Sequence, residues 1–223
     1  MADFSVIITT AGGGAMTRVD GREALLRSVD LFVGKPGIKQ VVVIFAPGEF
    51  EEGKKRHGSH FAFTGVRLAA GGPTWADQVA AGMDKVAPES THVLVHDGAR
   101  CVVPASDIEA LQTEVEHAPT AAALVGKLHG TLVELDEGGV AIATERSSRF
   151  VQLLSPVAYT RKAIETVAKT RKDVPAAAMR LVPGSPLNVR VSEPGDEKIA
   201  SAMIALLPKV IKVGDGPFGE AQW

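Results

Sequence analysis

The chain has 223 residues and a formal net charge of −2, with 24 Lys and Arg against 26 Asp and Glu. Its composition, 45% hydrophobic and 22% charged, is typical of a globular protein and excludes a disordered or collagen-like chain. The near-neutral balance excludes bulk attraction to nucleic acid or to an anionic membrane, and a single cysteine excludes a disulfide framework. An anionic ligand would therefore have to be held by a few well-placed cations.

The first half of the chain alternates apolar stretches of strand length with stretches of helical periodicity. Thr74 and Ser106 are the predicted N-caps of two of the helices, and Glu109 completes a capping-box pattern with Ser106. Uniformly apolar strands that are each followed by a helix indicate a parallel sheet covered on both faces. The pattern predicts a Rossmann-like, doubly wound α/β fold with a mostly parallel sheet. Strands are predicted over residues 4–10, 41–46, 66–70 and 92–96, and helices over residues 22–33, 74–86 and 106–117.

The second half departs from this alternation. Residues 131–135 and 140–144 flank a Gly-rich turn and predict a β-hairpin, within an arm over 128–149 that projects from the sheet and could pair with a second subunit. No internal repeat or linker interrupts the chain, so a single domain over 1–223 is predicted. The remaining predictions are strands at 151–154, 179–182 and 187–191, helices at 161–169 and 194–207 (the latter capped by Ser192 or Glu193), and a loose tail at 214–223.

No stretch of the sequence reaches the ~20 apolar residues that a membrane-spanning helix needs. The apolar run at residues 4–8 is shorter than that of a signal peptide and is not preceded by basic residues. We therefore expect a cytoplasmic protein in which this run is a buried first strand.

Two glycine-rich segments each follow a predicted strand. Residues 11–14, Ala-Gly-Gly-Gly, precede a helix, where backbone N–H groups can approach phosphate oxygens. The segment matches neither the dinucleotide-binding nor the P-loop pattern, so a phosphate-binding loop and a simple tight turn are equally supported. Residues 71–74 form a second such turn, which could read the edge of a base or could simply be a turn capped by Thr74.

A third candidate site ends the predicted strand at 92–96. Asp97 could hold Mg²⁺ or a sugar hydroxyl, and Arg100 could bind a phosphate with its forked guanidinium. The alternative is a capping aspartate beside a solvated arginine. Cys101 follows, but no His–acid pair is evident to activate it as a nucleophile, so a small buried side chain is the better interpretation. The histidines form no ligand cluster, and residues 54–57, Lys-Lys-Arg-His, are interpreted as a solvated loop.

Together these segments resemble the 2-C-methyl-D-erythritol 4-phosphate cytidylyltransferases of the non-mevalonate isoprenoid pathway. The family's motifs occur in order over nearly the whole chain, and the His-Asp-x-Ala-Arg and late Asn motifs are the most specific of them. The matching segments are Ala11-Gly12-Gly13-Gly14, Gly21 through Leu25 to Ser28-Val29, Gly71-Gly72 through Gln78-Val79, Val95-His96-Asp97-Gly98-Ala99-Arg100 and Asn188 through Pro194 to Asp196.

The resemblance implies a homodimer of nucleotidyltransferase-type subunits with exchanged β-arms. The implied reaction is attack by a sugar phosphate on the α-phosphate of CTP, with Mg²⁺ and with release of pyrophosphate; no residue is assigned as a metal ligand. Such a transfer depends on positioning and charge neutralisation. The residues assigned are Asp97 and Arg146 for catalysis, with Arg18 as a substitute for a cation of the family, Ala11, Gly12, Gly14, Gly72 and Gly98 for the nucleotide, and Asp97, Arg100, Thr131, Arg146 and Arg190 for the sugar phosphate.

Several positions depart from the family pattern. Met16 stands where the family loop has an arginine, and the segment with the phosphate-gripping lysine that precedes Gly21 in the family is missing. Trp75 replaces the arginine of the second turn, Gln78 replaces its serine, and Arg190 replaces the late lysine. A Thr-Asp-Asp/Glu stretch near 174–179 is also absent. Two cations aimed at a transferring phosphate can contribute many orders of magnitude in rate.

Two functions therefore remain open. The first is a cytidylyltransferase acting on a sugar or polyol phosphate, in which Arg18 or Arg22 replaces the missing cations. The second is a catalytically lapsed relative that binds a nucleotide or a protein partner. A hydrolase that uses Cys101 is a remote third alternative.

Overall fold

In the computed structural model, which describes residues 2–208, uniformly apolar stretches form the strands of a central sheet. The predicted tail at 214–223 lies outside the described residues. The strands are β1 (Phe4–Thr9), β2 (Arg18–Val19), β3 (Arg22–Glu23), β4 (Ile38–Phe45), β5 (Arg67–Ala70), β6 (His92–Asp97), β7 (Ala121–Lys127), β8 (Thr131–Leu135), β9 (Ala141–Arg146), β10 (Val151–Thr160) and β11 (Met179–Pro183). The helices are α1 (Ala24–Asp30), α2 (Phe50–Phe63), α3 (Trp75–Met83), α4 (Ala105–Glu116), α5 (Arg161–Thr170) and α6 (Asp196–Leu206).

The central sheet has seven strands in the order β11-β7-β10-β6-β1-β4-β5. Strand β1 is parallel to β4 and β6, β5 is parallel to β4, and β11 is parallel to β7, whereas β10 runs antiparallel to both of its neighbours. This confirms the predicted doubly wound, mostly parallel α/β fold. The carboxyl ends of β1, β4 and β6 therefore lie at one edge, where ligands bind in such sheets.

Apolar residues on both faces of β1 fill two separate layers of core. Phe4, Val6 and Ile8 pack into one layer and Ile7 into the other, because successive side chains of a strand point to opposite faces. All residues of β1 are buried, which explains why the sequence shows an uninterrupted apolar run there rather than an alternating one.

Helix α2 and strand β7 are among the elements that the sequence pattern did not indicate. Helix α2 includes residues 54–57, so the predicted solvated loop is wrong. Gly53, His57 and Phe61 form the buried face of this helix, and an added Cβ at Gly53 would lie 2.4 Å from the Phe45 ring. A glycine and a histidine on the buried face conceal the helical periodicity. Strand β7 was missed because its buried residues are mostly alanines, which carry little strand preference.

Helix starts and one strand also differ from prediction. The N-cap at Thr74 is confirmed, since its side chain accepts a hydrogen bond from the Asp77 N–H. Helix α4 instead begins after Pro104, which places Ser106 inside its first turn, and α6 has Gly195 at its N-cap. Residues 187–191 form no strand; the Val191 N–H instead donates to the Ala99 carbonyl in the loop that follows β6, and the Arg190 side chain bonds the loop that follows β1.

The predicted β-hairpin is present as β8 and β9, which pair antiparallel in a sheet of their own. Most of its side chains are exposed, including those of Val133, Leu135 and Ile142. Within residues 2–208, no helix combines the length and the hydropathy needed to cross a membrane.

Candidate active site

The loop between β1 and α1 is shaped by consecutive glycines. Gly12, Gly13 and Gly14 all have positive φ angles, of 86°, 76° and 83°, which side-chain-bearing residues rarely adopt. An added Cβ at Gly14 would also collide with the Val191 carbonyl oxygen. Within residues 2–208, the N–H groups of Gly12 and Gly14 donate to no protein acceptor. Two backbone donors of this loop are therefore available to a ligand.

Arg190 reaches this loop from the segment that precedes α6. Its guanidinium donates from Nη2 to the Gly13 carbonyl (3.0 Å), from Nε to Asp97 Oδ2 (2.6 Å) and from Nη1 to Ser192 Oγ (2.6 Å). Its side chain is 24% exposed, so the charge lies at the surface of the site and is not sealed inside the protein. Arg190 therefore joins the glycine loop to the end of β6.

Asp97 is the carboxylate at the centre of this arrangement. Its Oδ1 accepts a hydrogen bond from the Ala99 N–H (3.0 Å), while Oδ2 is the partner of Arg190. Within the described part of the chain, no three His, Cys, Asp or Glu residues are placed to hold a metal ion together. One carboxylate fits a Mg²⁺ ion that is mainly held by substrate phosphates, and does not fit a resident metal with an all-protein ligand set.

Arg100 is buried, with 8% of the residue exposed, yet it is only partly bonded. Its Nη1 donates to the carbonyl (2.9 Å) and to Oδ1 (3.4 Å) of Asn188. Burial lowers the pKa of the guanidinium from its ordinary value. Arg100 lines a cavity of about 720 Å³ together with Lys127, Gln152 and Arg190. The cavity is thus lined by several cations and suits an anionic ligand.

A fully buried histidine orders the end of β6. His96 Nε2 lies 3.0 Å from the Arg100 carbonyl, which can only accept, so Nε2 carries the proton and Nδ1 accepts from the Ser155 hydroxyl (2.9 Å). Ser155 Oγ in turn accepts from the Asp97 N–H (2.8 Å). Burial lowers the pKa of His96 to about 4, so the ring is neutral at pH 7. Sequence reasoning assigned no role to His96 or Ser155, although His96 is part of the motif around Asp97.

Gln78 connects the two glycine segments that the sequence singled out. Its Oε1 accepts from the N–H groups of Thr10 (2.8 Å) and Ala11 (3.1 Å), and its Nε2 donates to the Gly72 carbonyl (3.3 Å). The Gln78 side chain is fully buried. The N–H group of Ala11, a predicted nucleotide contact, is therefore already bonded within the protein.

The cations predicted to replace those of the family loop are not equivalent in the structure. Arg22 Nη1 is 2.5 Å from Asp30 Oδ2, which directs it along α1. Arg18 is exposed on β2 and has no ion pair or side-chain hydrogen bond to any described residue. Met16 lies beside Arg56, whose guanidinium binds the carboxylates of Glu23 and Glu52. Arg18 is thus the better placed of the two predicted cations to meet a ligand.

Three other positions were predicted as site residues: Thr131, Arg146 and Gly98. Thr131 and Arg146 face each other across β8 and β9, and neither bonds to Asp97, Arg100 or Arg190 of the same chain. Gly98 packs tightly, since an added Cβ would lie 3.1 Å from the Thr9 carbonyl oxygen.

Cys101 is buried, and burial raises the pKa of its thiol, which agrees with a packing role rather than a nucleophilic one.

A mostly parallel sheet, a glycine loop after its first strand and an Asp–Arg pair at the neighbouring strand end define an α/β fold of nucleotidyltransferase type. Solved structures share this fold. The 4-diphosphocytidyl-2C-methyl-D-erythritol synthase of Anaerococcus prevotii superposes with a TM-score of 0.74 at 19% identity, over 92% of this chain and 96% of that one. The 2-C-methyl-D-erythritol 4-phosphate cytidylyltransferase of Thermus thermophilus gives a TM-score of 0.69 at 21% identity, over 89% and 98%.

Sequence comparisons give the family. The model for IspD, 2-C-methyl-D-erythritol 4-phosphate cytidylyltransferase, matches residues 8–206, and the chain belongs to this family. The 2-C-methyl-D-erythritol 4-phosphate cytidylyltransferase of Pseudomonas putida strain F1 is 29% identical over 219 residues, covering 86% of this chain and 92% of that protein. The bifunctional enzyme IspD/IspF of Desulforudis audaxviator is 28% identical over 96% of this chain, which spans 60% of that protein's length.

Proposed function

We propose that the protein is a cytidylyltransferase that joins the cytidylyl group of CTP to a sugar or polyol phosphate, with 2-C-methyl-D-erythritol 4-phosphate as the acceptor suggested by the names of its relatives. The observation that carries the proposal is the glycine loop. Gly12 and Gly14 keep unbonded N–H groups within the described chain, and Arg190 is held against the same loop. Backbone donors beside a fixed guanidinium are a typical phosphate-binding arrangement.

In this proposal the nucleotide lies against the glycine loop and the turn at Gly72, which Gln78 joins. Gly12 and Gly14 donate to the triphosphate, and the close packing at Gly98 brings the end of β6 against β1. Asp97 is the carboxylate that would hold a Mg²⁺ ion brought by the substrate phosphates, and the ion would neutralise phosphate charge. Each Asp97 oxygen accepts one hydrogen bond, from Ala99 N–H or from Arg190 Nε, so the carboxylate keeps lone pairs for a cation while Arg190 stays in place.

The acceptor occupies the 720 Å³ cavity beside Arg100 and Arg190. An oxygen of its phosphate attacks the α-phosphorus of CTP, a new P–O bond forms, and the bond from the α-phosphorus to the β-phosphate oxygen breaks as pyrophosphate leaves. The guanidinium groups and Arg18 neutralise charge that develops on the transferring phosphate. No covalent enzyme intermediate is needed, because the groups act by positioning and electrostatics.

The β-arm supports a homodimer in this proposal. Four apolar side chains of the arm are between 50% and 62% exposed: Val133, Leu135, Val140 and Ile142. So much exposed apolar surface is unusual for a two-stranded sheet in water. A second copy of the chain would cover them. Thr131 and Arg146, which have no contact with Asp97 in their own chain, would then complete the site of the other copy.

The alternative is a lapsed relative that binds a nucleotide or a protein partner. It is favoured by the flank of the loop, where Met16 lies among Glu49, Glu52 and Arg56, so that carboxylates outnumber cations beside the expected triphosphate. Pyrophosphate release with CTP, Mg²⁺ and methylerythritol phosphate, measured beside a CTP titration, separates the two functions. Turnover supports the enzyme. Binding without turnover supports the lapsed relative, and absence of both overturns the proposal.

A further inference from the structure

We infer that Gln78 is a positioning residue of the nucleotide site, which holds the glycine loop and the second glycine turn at a fixed separation before any ligand binds. The inference rests on the proposed function, because it assigns this role to the two segments against which CTP would bind. The role differs from that of a ligand contact, since the polar atoms of Gln78 are already bonded to both segments of the protein.

Gln78 bonds to the start of the glycine loop. Ala11 N–H has Gln78 Oε1 as its one acceptor within residues 2–208, whereas Thr10 N–H is shared between Gln78 Oε1 and the Ile44 carbonyl at 3.2 Å. These bonds are made at a fully buried side chain, 67 and 68 residues away along the chain. A buried N–H group without a partner is costly, so the start of the loop depends on this amide.

Gln78 also bonds to the glycine turn. Gln78 Nε2 donates to the Gly72 carbonyl, and the backbone of Gly71 lies directly against the same side chain. An added Cβ at Gly71 would lie 2.9 Å from Gln78 Cγ, and one at Gly72 would lie 2.6 Å from Asp77 Cβ. The two glycines are therefore required for the turn to approach α3 so closely. One amide group thus bonds both the glycine loop and the glycine turn.

These bonds should affect how tightly the nucleotide binds. The chain lacks the loop arginine and the lysine segment of its family, so bound phosphates would find fewer cations to order the loop around them. A loop that is ordered in advance loses less conformational entropy when the ligand binds. The serine that the family has at this position is too short to bond both the glycine loop and the glycine turn. Gln78 therefore contributes by preorganisation in a chain that has lost charge.

The experiment compares wild type with Gln78→Ser and Gln78→Glu. CTP affinity is measured by calorimetry and amide exchange of Ala11 by NMR on the free protein. Gln78→Ser should raise the Kd for CTP about ten-fold or more and speed exchange at Ala11, while the KM for the sugar phosphate stays unchanged. Gln78→Glu keeps both acceptor bonds but loses the donor to Gly72. It should leave Ala11 protected and still weaken CTP binding.

Val79→Ala is the matched control, because Val79 is equally buried on the same helix, packs into the core with Ile7 and Ile44, and has no side-chain polar atom to bond either glycine segment. It should lower the unfolding midpoint yet leave the Kd for CTP and the exchange of Ala11 as in wild type. If the Gln78 variants bind CTP as wild type does, the inference is wrong and the proposed function stands. If wild type itself binds no CTP, the proposed function fails.

Discussion

Arg190 and Asp97 form the ion pair on which the candidate site is organised. The Nε of Arg190 lies 2.6 Å from Asp97 Oδ2, and the side chains are 24% and 23% exposed. The two residues are 93 positions apart in sequence, and the pair connects the segment before α6 to the end of β6. Because the same guanidinium also bonds the Gly13 carbonyl, the pair acts on the loop as well as on the aspartate.

Replacing Arg190 by lysine, the family's residue, tests which substrate this cation serves. A lysine is a point charge that cannot reproduce the forked contacts to Asp97, Gly13 and Ser192. We expect Arg190→Lys to raise the Kd for CTP about ten-fold and Arg190→Ala to raise it about 100-fold, as expected for lost charge-assisted hydrogen bonds. Isothermal titration gives both values. An effect on the sugar phosphate alone would contradict a role at the loop.

Arg180→Lys is a suitable control for this substitution. Arg180 forms an exposed pair with Glu114, with side chains 51% and 39% exposed. Exposed pairs contribute little to stability, so neither ligand affinity nor unfolding should change measurably.

Arg18 is the predicted replacement for a missing loop cation, and Arg22 provides an internal comparison. Arg18 has no partner among the described residues, whereas Arg22 is already paired with Asp30. We expect Arg18→Ala to lower kcat about 100-fold, as for loss of one group that stabilises transition-state charge. Arg22→Ala should leave kcat within about two-fold of wild type. Steady-state pyrophosphate release measures both, and an unchanged rate in Arg18→Ala would refute the role.

How much the sequence predicted depended on whether the deciding interactions are local. The four apolar strands predicted in the first half of the chain and the helix cap at Thr74 follow from neighbouring residues, and they are confirmed. The bond from Gln78 to Ala11 joins positions 67 residues apart, and no local pattern indicates it. Helix α2 was missed because Gly53 occupies its buried face, where only the Phe45 ring of another element explains a glycine. Contacts between distant segments therefore carried the missing part of the site.

The buried histidine predicts a specific dependence of stability on pH. The folded-state pKa of His96 is lowered to about 4 from 6.5, because burial disfavours the charged ring. The unfolded chain therefore binds more protons than the folded one between these values. The stability that the neutral His96 ring contributes is fully present above pH 6.5. It is lost as the pH falls towards 4, by about 1 kcal/mol per pH unit.

Urea unfolding at pH 7, 6 and 5 measures this slope. The pKa values of His57 and His92 are also lowered by burial and add to the slope in the same direction. His96→Gln should reduce the slope without removing it. A slope in His96→Gln that equals the wild-type slope would contradict a His96 ring that is neutral in the folded protein.

Mixing two inactive variants tests whether the β-arm completes the site of a second copy. Asp97→Asn removes the central carboxylate, and Arg146→Ala removes the arm's cation, so each homodimer should be inactive. Because Asp97 and Arg146 would act across the subunit interface, a heterodimer contains one site with both residues intact. Equal mixing under exchange should restore about a quarter of the wild-type rate. Ile142→Asp, on the exposed arm, should give a folded monomer by light scattering. When Ile142→Asp is added to both the Asp97→Asn and the Arg146→Ala variants, their mixture should recover no activity. No recovery from the Asp97 and Arg146 mixture despite subunit exchange, or activity in the monomeric Ile142→Asp variant, would show that Arg146 does not complete the site of a second copy.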